Sequence, residues 1–321
     1  MRNIEIIKDK LLGCLYGQAI GDALGFGTEN MLKSDVEQYY PNGLVSYDQI
    51  VQDERRKGWP IGMWTDDTEM MLAILDYFVN SSKMEVDTSS LALYFLEFYE
   101  KWGFTCGTLT RKVLNFAPPV YMKKPIAVSK MVWELKGKDN APNGGLMRTS
   151  IVGLWPYNVT ENLISTCQMT HYDPRCVCSC VVIGTIIYNL VWRNRYLTLE
   201  ELCEIGKRYD NKSTYWIKKA HNNCDIECLK LGVEEAMAYT YKTMASALWA
   251  YFHIKDFESG LLKIVNEGGD ADTNAAVACA ILGAKFGYNA ISKYYIDNLY
   301  NENEYKAKCE KFINLAIDSI N

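Results

Sequence analysis

Apolar residues recur at helical spacing along most of the chain. TEMMLAILDYFV (68–79), LALYFLEFYEKW (91–102), AVACAILGAKFG (276–287) and KAKCEKFINLAIDSI (306–320) each repeat them at three- and four-residue intervals, and each predicts an α-helix. From Cys176 to Trp192 no residue carries a formal charge, and Arg175 and Arg193 bracket the run. That is too short for a membrane span, which needs about 20 predominantly apolar residues, so the run predicts a buried central helix. Asp173 is placed to cap it, with Pro174 in the first helical position. Strand-like patterning is confined to LVSYDQIV (44–51). Residues 115–145, with Pro118, Pro119, Pro125, Pro142 and a Gly-Gly pair, predict a long surface excursion. No proline follows Pro174. The pattern as a whole predicts an all-α protein without internal repeats.

Composition narrows the class. The chain has 321 residues, 49% hydrophobic and 23% charged, with a net charge of −5, which excludes a disordered chain. A pI near 5.4 gives no support for nucleic-acid binding, except where a nucleic acid is itself a modified substrate. Only 3 histidines are present, His171, His221 and His253, and none is followed by Asp. A histidine-built zinc site is therefore disfavoured, and any metal should be a hard cation held by oxygen. The 11 cysteines form no CxxC pair and read as reduced, packed thiols. The trio Cys176, Cys178 and Cys180 has an i, i+2 spacing that splays side chains apart on a helix. With an N-terminus (MRNIEIIKDKLLGCLYGQ) that lacks an uninterrupted apolar stretch, the expectation is a cytoplasmic protein.

Two acidic clusters carry the candidate chemistry. Thr65, Asp66, Asp67, Thr68 and Glu69 open one predicted helix, and Gly268, Gly269, Asp270, Ala271, Asp272 and Thr273 open another. Taken singly, each also reads as a cap: Asp66 with Glu69 as a capping box, Asp270 as an N-cap. In a regular helix, Asp270 and Asp272 would point about 200° apart. They converge only if the Gly-Gly step and a non-helical cap turn them together. Four aspartates and two threonines match the oxygen ligands of Mg²⁺ or Mn²⁺, and a paired-metal site would draw both ends of the chain together. That favours one domain over residues 1–321, against the two that length alone suggests.

Three further segments are candidates. Gly21, Gly25 and Gly27 mark a close backbone approach or a turn, and Glu29 follows them as a carboxylate able to orient or deprotonate water. Asn143, Gly144 and Gly145 form a turn whose amides suit an anion. His171 stands just ahead of the central helix, where it could donate to a phosphate or ribose.

The ordered set GDALGxxxE (21–29), WTDDT (64–68), NGGLMR (143–148), THYDP (170–174), SALWAY (246–251) and NEGGDADT (266–273) resembles the ADP-ribosylglycohydrolase family. That group includes the dinitrogenase reductase-activating glycohydrolases and the ADP-ribosyl-acceptor hydrolases of animals. The resemblance implies an all-α, single-domain orthogonal helical bundle with two divalent cations, Mg²⁺ or Mn²⁺. It implies that Thr65, Asp66, Asp67, Asp270, Asp272 and Thr273 ligate metal, and that Glu29, Asp67 and Asp272 act in catalysis. It assigns Asn143, Gly144, Gly145 and His171 to the diphosphate and distal ribose. The implied activity is hydrolysis of the bond between ADP-ribose and an acceptor, arginine or serine among the options, on a protein or a small-molecule conjugate. A non-catalytic ADP-ribose binder of the same fold and a phosphate-ester hydrolase are the rivals. Some arginine-directed members carry an Asp where this chain has Thr105 and Cys106, which weakens the arginine-specific reading. Many members have glycine where Cys279 stands, a change expected to affect packing only.

Overall fold

Four glycines spaced by four residues decide how the core is built. Gly13, Gly17, Gly21 and Gly25 lie along the N-terminal helix Ile4–Gly25. This helix runs antiparallel to the alanine-rich helix Ala271–Phe286, the most extensive pairing of elements in the molecule. A methyl group at Gly17 would overlap the Cys279 carbonyl, and one at Gly21 the Ala275 carbonyl. Glycine is required here for close approach rather than for backbone freedom. The seam continues to Gly25 against Ala271, so Asp22 on one helix is brought beside Asp272 on the other. Cys279 sits in the seam as a fully buried thiol, a packing role as expected.

The computed structural model describes residues 4–81 and 83–320. It is all-α, with seventeen α-helices and one isolated backbone bridge, Pro142 with Tyr239, among the described residues. The four periodic stretches fall in helices Asp66–Ser81, Thr88–Trp102, Ala271–Phe286 and Glu302–Asp318. The last of these closes the chain onto its beginning. Tyr305 donates to the Leu15 carbonyl at 2.6 Å, Tyr16 donates to Glu302 at 2.8 Å, and Lys308 pairs with Asp76 at 2.7 Å.

The central helix is Pro174–Trp192, and Asp173 accepts from the Arg175 amide at 3.0 Å as its cap. It is long and apolar enough to cross a membrane, yet most of it is buried inside the protein. It packs on helices Val159–Gln168, Ser150–Leu154 and Thr240–His253.

Two expectations fail. Residues 44–51 form no strand; Tyr47–Gln49 is a 3₁₀ turn. The backbone of Leu44 is satisfied by one side chain, donating to Asn266 Oδ1 at 2.7 Å and accepting from Asn266 Nδ2 at 3.0 Å, so no neighbouring strand is needed. Residues 115–145 are also not one long loop. Helices Pro118–Tyr121 and Pro125–Leu135 occupy much of the segment, each with proline in its first turn. Those prolines start helices instead of breaking them, because the missing amide is one that has no partner at that position anyway. All eleven cysteines are free, and nine are buried. Cys176 and Cys178 face different carbonyls, of Pro142 and Gly206, as the splayed spacing implied.

Candidate active site

The second acidic cluster depends on its two glycines. Gly268 and Gly269 have φ of +70° and +71°, where side chains crowd the backbone, and a methyl on Gly269 would overlap the Leu231 carbonyl. Asp270 then takes φ −86° and ψ 61°, outside the helical region, and its side chain makes no capping bond. Asp270 and Asp272, which a regular helix would direct apart, thereby place carboxylate oxygens within 4.8 Å of each other and of Glu29. Asp270 accepts from the Asn143 amide nitrogen, which also donates to Thr243 Oγ1 at 2.9 Å.

The first cluster is organised by a residue that pattern reading passed over. Asp22 is fully buried and accepts four hydrogen bonds: from the Thr65 amide (3.0 Å) and hydroxyl (2.9 Å), and from the Thr68 amide (2.9 Å) and hydroxyl (2.6 Å). It clamps the start of helix Asp66–Ser81 from outside, so the expected capping box is absent. Glu69 instead accepts from the Trp64 indole at 2.8 Å. Carboxylate oxygens of Asp22, Asp67 and Asp272 lie within 4.8 Å of one another. Gln18, also buried, donates to the Asp67 and Met147 carbonyls and so ties this cluster to the NGGLMR segment. The signal for Asp22 was present in the sequence: it is the one charged residue in the apolar stretch that follows Lys10 in helix Ile4–Gly25.

Burial and mutual repulsion dominate the electrostatics. Burial pushes the Asp22 carboxyl up to about 6 against the pull of the Thr68 and Thr65 hydrogen bonds. Burial, then the charges of Asp22 and Glu29, push Asp66 up to about 7. Asp270 rises to about 6 through burial and Glu29, with Asn143 pulling the other way. Asp67 and Asp272 are driven well above the usual range by burial first and by neighbouring carboxylates next. Asp67 Oδ1 is buried without a hydrogen-bond partner. Crowded carboxylates with an orphaned oxygen suit a hard divalent cation, the all-oxygen donor set of Mg²⁺ or Mn²⁺.

One cation is already present. Arg55 holds Glu29 with both its oxygens, through Nε at 3.0 Å and Nη2 at 2.6 Å. Burial alone would lower Arg55, but Glu29, Asp272 and Asp270 outweigh it and raise it. Nothing in the exposed-looking DERRK run (53–57) flagged this residue. Its neighbour Arg56 is buried and donates to the Phe26 carbonyl at 2.9 Å and to the Glu29 carbonyl at 2.5 Å, fixing the loop.

A cavity of about 370 Å³ joins these groups. Glu29, Asp66, Asp67, Asp270, Asp272 and Thr273 line it together with Asn143, Gly144 and His171. Two candidates stand back from it. The Thr65 hydroxyl is shared between Asp22 and Asp67, and Gly145 packs against Cys167 and His171. Thr105, Gly107, Thr108, Lys112 and Lys136 complete a wall that carries basic groups. His171 is buried, with Nδ1 2.7 Å from the Thr170 hydroxyl. His253 contacts the Ala220 carbonyl and His221 lies edge-on to Phe252, and neither lines this cavity.

A family model described as ADP-ribosylglycohydrolase matches residues 3–319. The chain belongs to the ADP-ribosylglycohydrolase family. Among its relatives is the ADP-ribosyl-[dinitrogen reductase] glycohydrolase of Rhodospirillum rubrum, 25% identical, with 98% of this chain and 96% of that protein covered. The ADP-ribosylarginine hydrolase Tri1 of Serratia proteamaculans is 23% identical, over 96% of this chain and 80% of the relative. A solved structure titled ADP-ribosylglycohydrolase-related protein complex shares the fold at a TM-score of 0.71, with 21% identity, covering 97% of this chain and 99% of that one. This ADP-ribosylglycohydrolase is thus an all-α hydrolase whose likeness to the family extends over nearly its whole length.

Proposed function

We propose that the chain, acting as one domain, hydrolyses the glycosidic bond between the anomeric carbon of ADP-ribose and an acceptor, with two divalent cations, Mg²⁺ or Mn²⁺. The observation that carries this reading is the convergence of carboxylates from three distant segments on the cavity that also holds Asn143, Gly144 and His171. Asp66, Asp67, Asp270 and Asp272 would hold the cations, Thr65 and Thr273 adding oxygens. When bound, they supply positive charge that offsets the crowded carboxylates and orients ribose hydroxyls. Asp22 fixes Thr65 and Thr68, and through them the start of the helix that carries Asp66 and Asp67. Asn143 holds the Asp270 carboxylate in place. Glu29, Asp67 and Asp272 are the acid–base candidates. Oxocarbenium character developing at the anomeric carbon would be tolerated among these carboxylates, and one of the three would take the proton of the attacking water. Asn143, Gly144, Gly145 and His171 would bind the diphosphate and distal ribose, and Lys112 and Lys136 add positive charge to the cavity wall.

The acceptor follows from what the wall lacks. Some arginine-directed members of the family carry an Asp where this chain has Thr105, which lines the cavity, and Cys106, which is buried. Together with the two lysines this disfavours a guanidinium and suits an uncharged or anionic acceptor group. The test is a panel of defined conjugates, arginine-linked, serine-linked and nucleobase-linked, each offered with Mg²⁺ and with Mn²⁺. Free ADP-ribose is the expected product, and Asp272→Ala should abolish its release. Unchanged turnover in that variant, or AMP or inorganic phosphate as the product, overturns the reading.

A further inference from the structure

Arg148 is completely buried, yet none of its partners is a carboxylate. Its Nη2 donates to the Thr170 hydroxyl oxygen at 2.7 Å and to the Thr166 carbonyl at 3.1 Å, and its Nη1 donates to the Gly144 carbonyl at 3.2 Å. The guanidinium stacks 4.6 Å from the centre of the Phe95 ring. A buried guanidinium without a countercharge is expensive to retain, so its neutral partners merit scrutiny.

Those partners lead to His171. The Thr170 hydroxyl oxygen has two neighbours at hydrogen-bond distance: Arg148 Nη2, and His171 Nδ1 at 2.7 Å. A guanidinium can only donate, so the hydroxyl spends one lone pair accepting from Arg148. Its own proton then has one acceptor left, the lone pair of Nδ1. An imidazole that accepts at Nδ1 carries its proton on Nε2. That second nitrogen has no protein partner among the described residues, and His171 lines the cavity. Gly144 leaves the space open, since a methyl there would sit 3.1 Å from Nε2 and 3.2 Å from Thr110 Oγ1. Burial, and then the charge of Arg148, hold the ring far below the usual histidine range, which keeps it neutral.

We infer that Arg148 and Thr170 are positioning residues that fix His171 in the tautomer whose Nε2–H faces the cavity, giving the ligand a preset hydrogen-bond donor for one of its oxygens. Two neutral partners alone would leave the imidazole free to take either tautomer. The donor-only guanidinium biases that choice: were Nδ1 the donor, the Thr170 hydroxyl would accept twice and its own buried proton would be left without an acceptor. The same residue also holds the Gly144 carbonyl, so the NGG turn and the histidine are oriented from one buried point.

The identity of the ligand rests on the glycohydrolase reading; the tautomer does not. Long-range ¹H–¹⁵N correlation spectra of the intact ¹⁵N-labelled protein resolve the question, and with only 3 histidines in the chain the rings can be assigned by single His→Gln variants. The expected spectrum has a protonated, pyrrole-type Nε2 and a pyridine-type Nδ1 for His171, and the reverse pattern overturns the inference. In Thr170→Val the fixed pattern should give way to a tautomer mixture, with ADP-ribose binding about tenfold weaker by calorimetry, as for loss of one oriented hydrogen bond. Thr170→Ser should restore both. A Thr170→Val protein that melts like the wild type and keeps the wild-type spectrum also overturns it. An Nε2–H tautomer in a wild-type protein that binds no ADP-ribose upholds the relay and removes the glycohydrolase reading instead.

Discussion

Glu29 shows how much one side chain's surroundings change its chemistry. From its place in the sequence it is a free carboxylate beside a metal pair. In the folded protein both its oxygens are held by Arg55, a residue about half exposed, while Asp270 and Asp272 stand within reach. A cation entering at Glu29, Asp270 and Asp272 therefore meets a guanidinium that already neutralises part of the site. Arg55→Ala should leave the loop in place, because Arg56 anchors it, and should tighten Mn²⁺ binding several-fold in calorimetry without substrate. Equal or weaker Mn²⁺ binding would mean that Arg55 supports the site rather than competing for it. Neither Arg55 nor Asp22 could be singled out by spacing. The partners that define their roles lie 26 residues away for Arg55 and 43 to 46 for Asp22.

Helix existence was largely legible, because period-3.6 patterning reflects the buried face directly; how helices meet was less so. Gly21 and Gly25 stood out beside the motif, whereas Gly13 and Gly17 look like ordinary helix glycines until the partner helix is known. The 44–51 segment misled because its apolar residues suit a strand by type, whereas the buried ones, Leu44 and Tyr47, lie three apart as in a turn and Asn266 satisfies the Leu44 backbone. Gly21→Ala tests the seam: its methyl meets the Ala275 backbone, which cannot rotate away, so a loss of at least about 2 kcal/mol is expected. A melting temperature within one degree of wild type would show that the two helices separate easily. The central helix offers a second test. Burial alone would raise the Asp173 carboxyl, but hydrogen bonds from the Arg175 side chain and amide, and from Trp133, hold it below its usual value. A carboxyl depressed in this way contributes stability above its unfolded value of about 3.9 and loses it as the pH falls through the folded value. Asp173→Asn should therefore melt lower than wild type near neutral pH, by about 1–2 kcal/mol, with the gap closing below about pH 4. A gap that stays constant down to pH 3 would assign the effect to packing.

At the scale of the molecule, the site is where separate parts of the chain must agree. Asp22 comes from the first helix, Asp66 and Asp67 from the next long one, and Asp270 and Asp272 from a helix near the end, which the C-terminal helix and Tyr305 help close onto Leu15. No part of the chain alone holds the carboxylate groups; folding gathers them at a cost in burial and repulsion that raises Asp22, Asp66, Asp67, Asp270 and Asp272 together. A ligand that relieves this cost binds the folded state alone, and its stabilisation is felt by every element contributing a carboxylate. Mg²⁺ or Mn²⁺ at about a hundred times its dissociation constant should then raise stability by about 2.7 kcal/mol, seen as an upward shift of one cooperative melt that a chelator reverses. Asp272→Ala, which removes the carboxylate common to both clusters, should abolish that shift. Two resolved transitions with only one metal-sensitive would mean that part of the chain builds the site without the rest, and the single-domain reading would fail with it. A single transition indifferent to metal in the wild-type protein would instead remove the divalent-cation reading, since a cation bound among those carboxylates must stabilise the fold that assembles them.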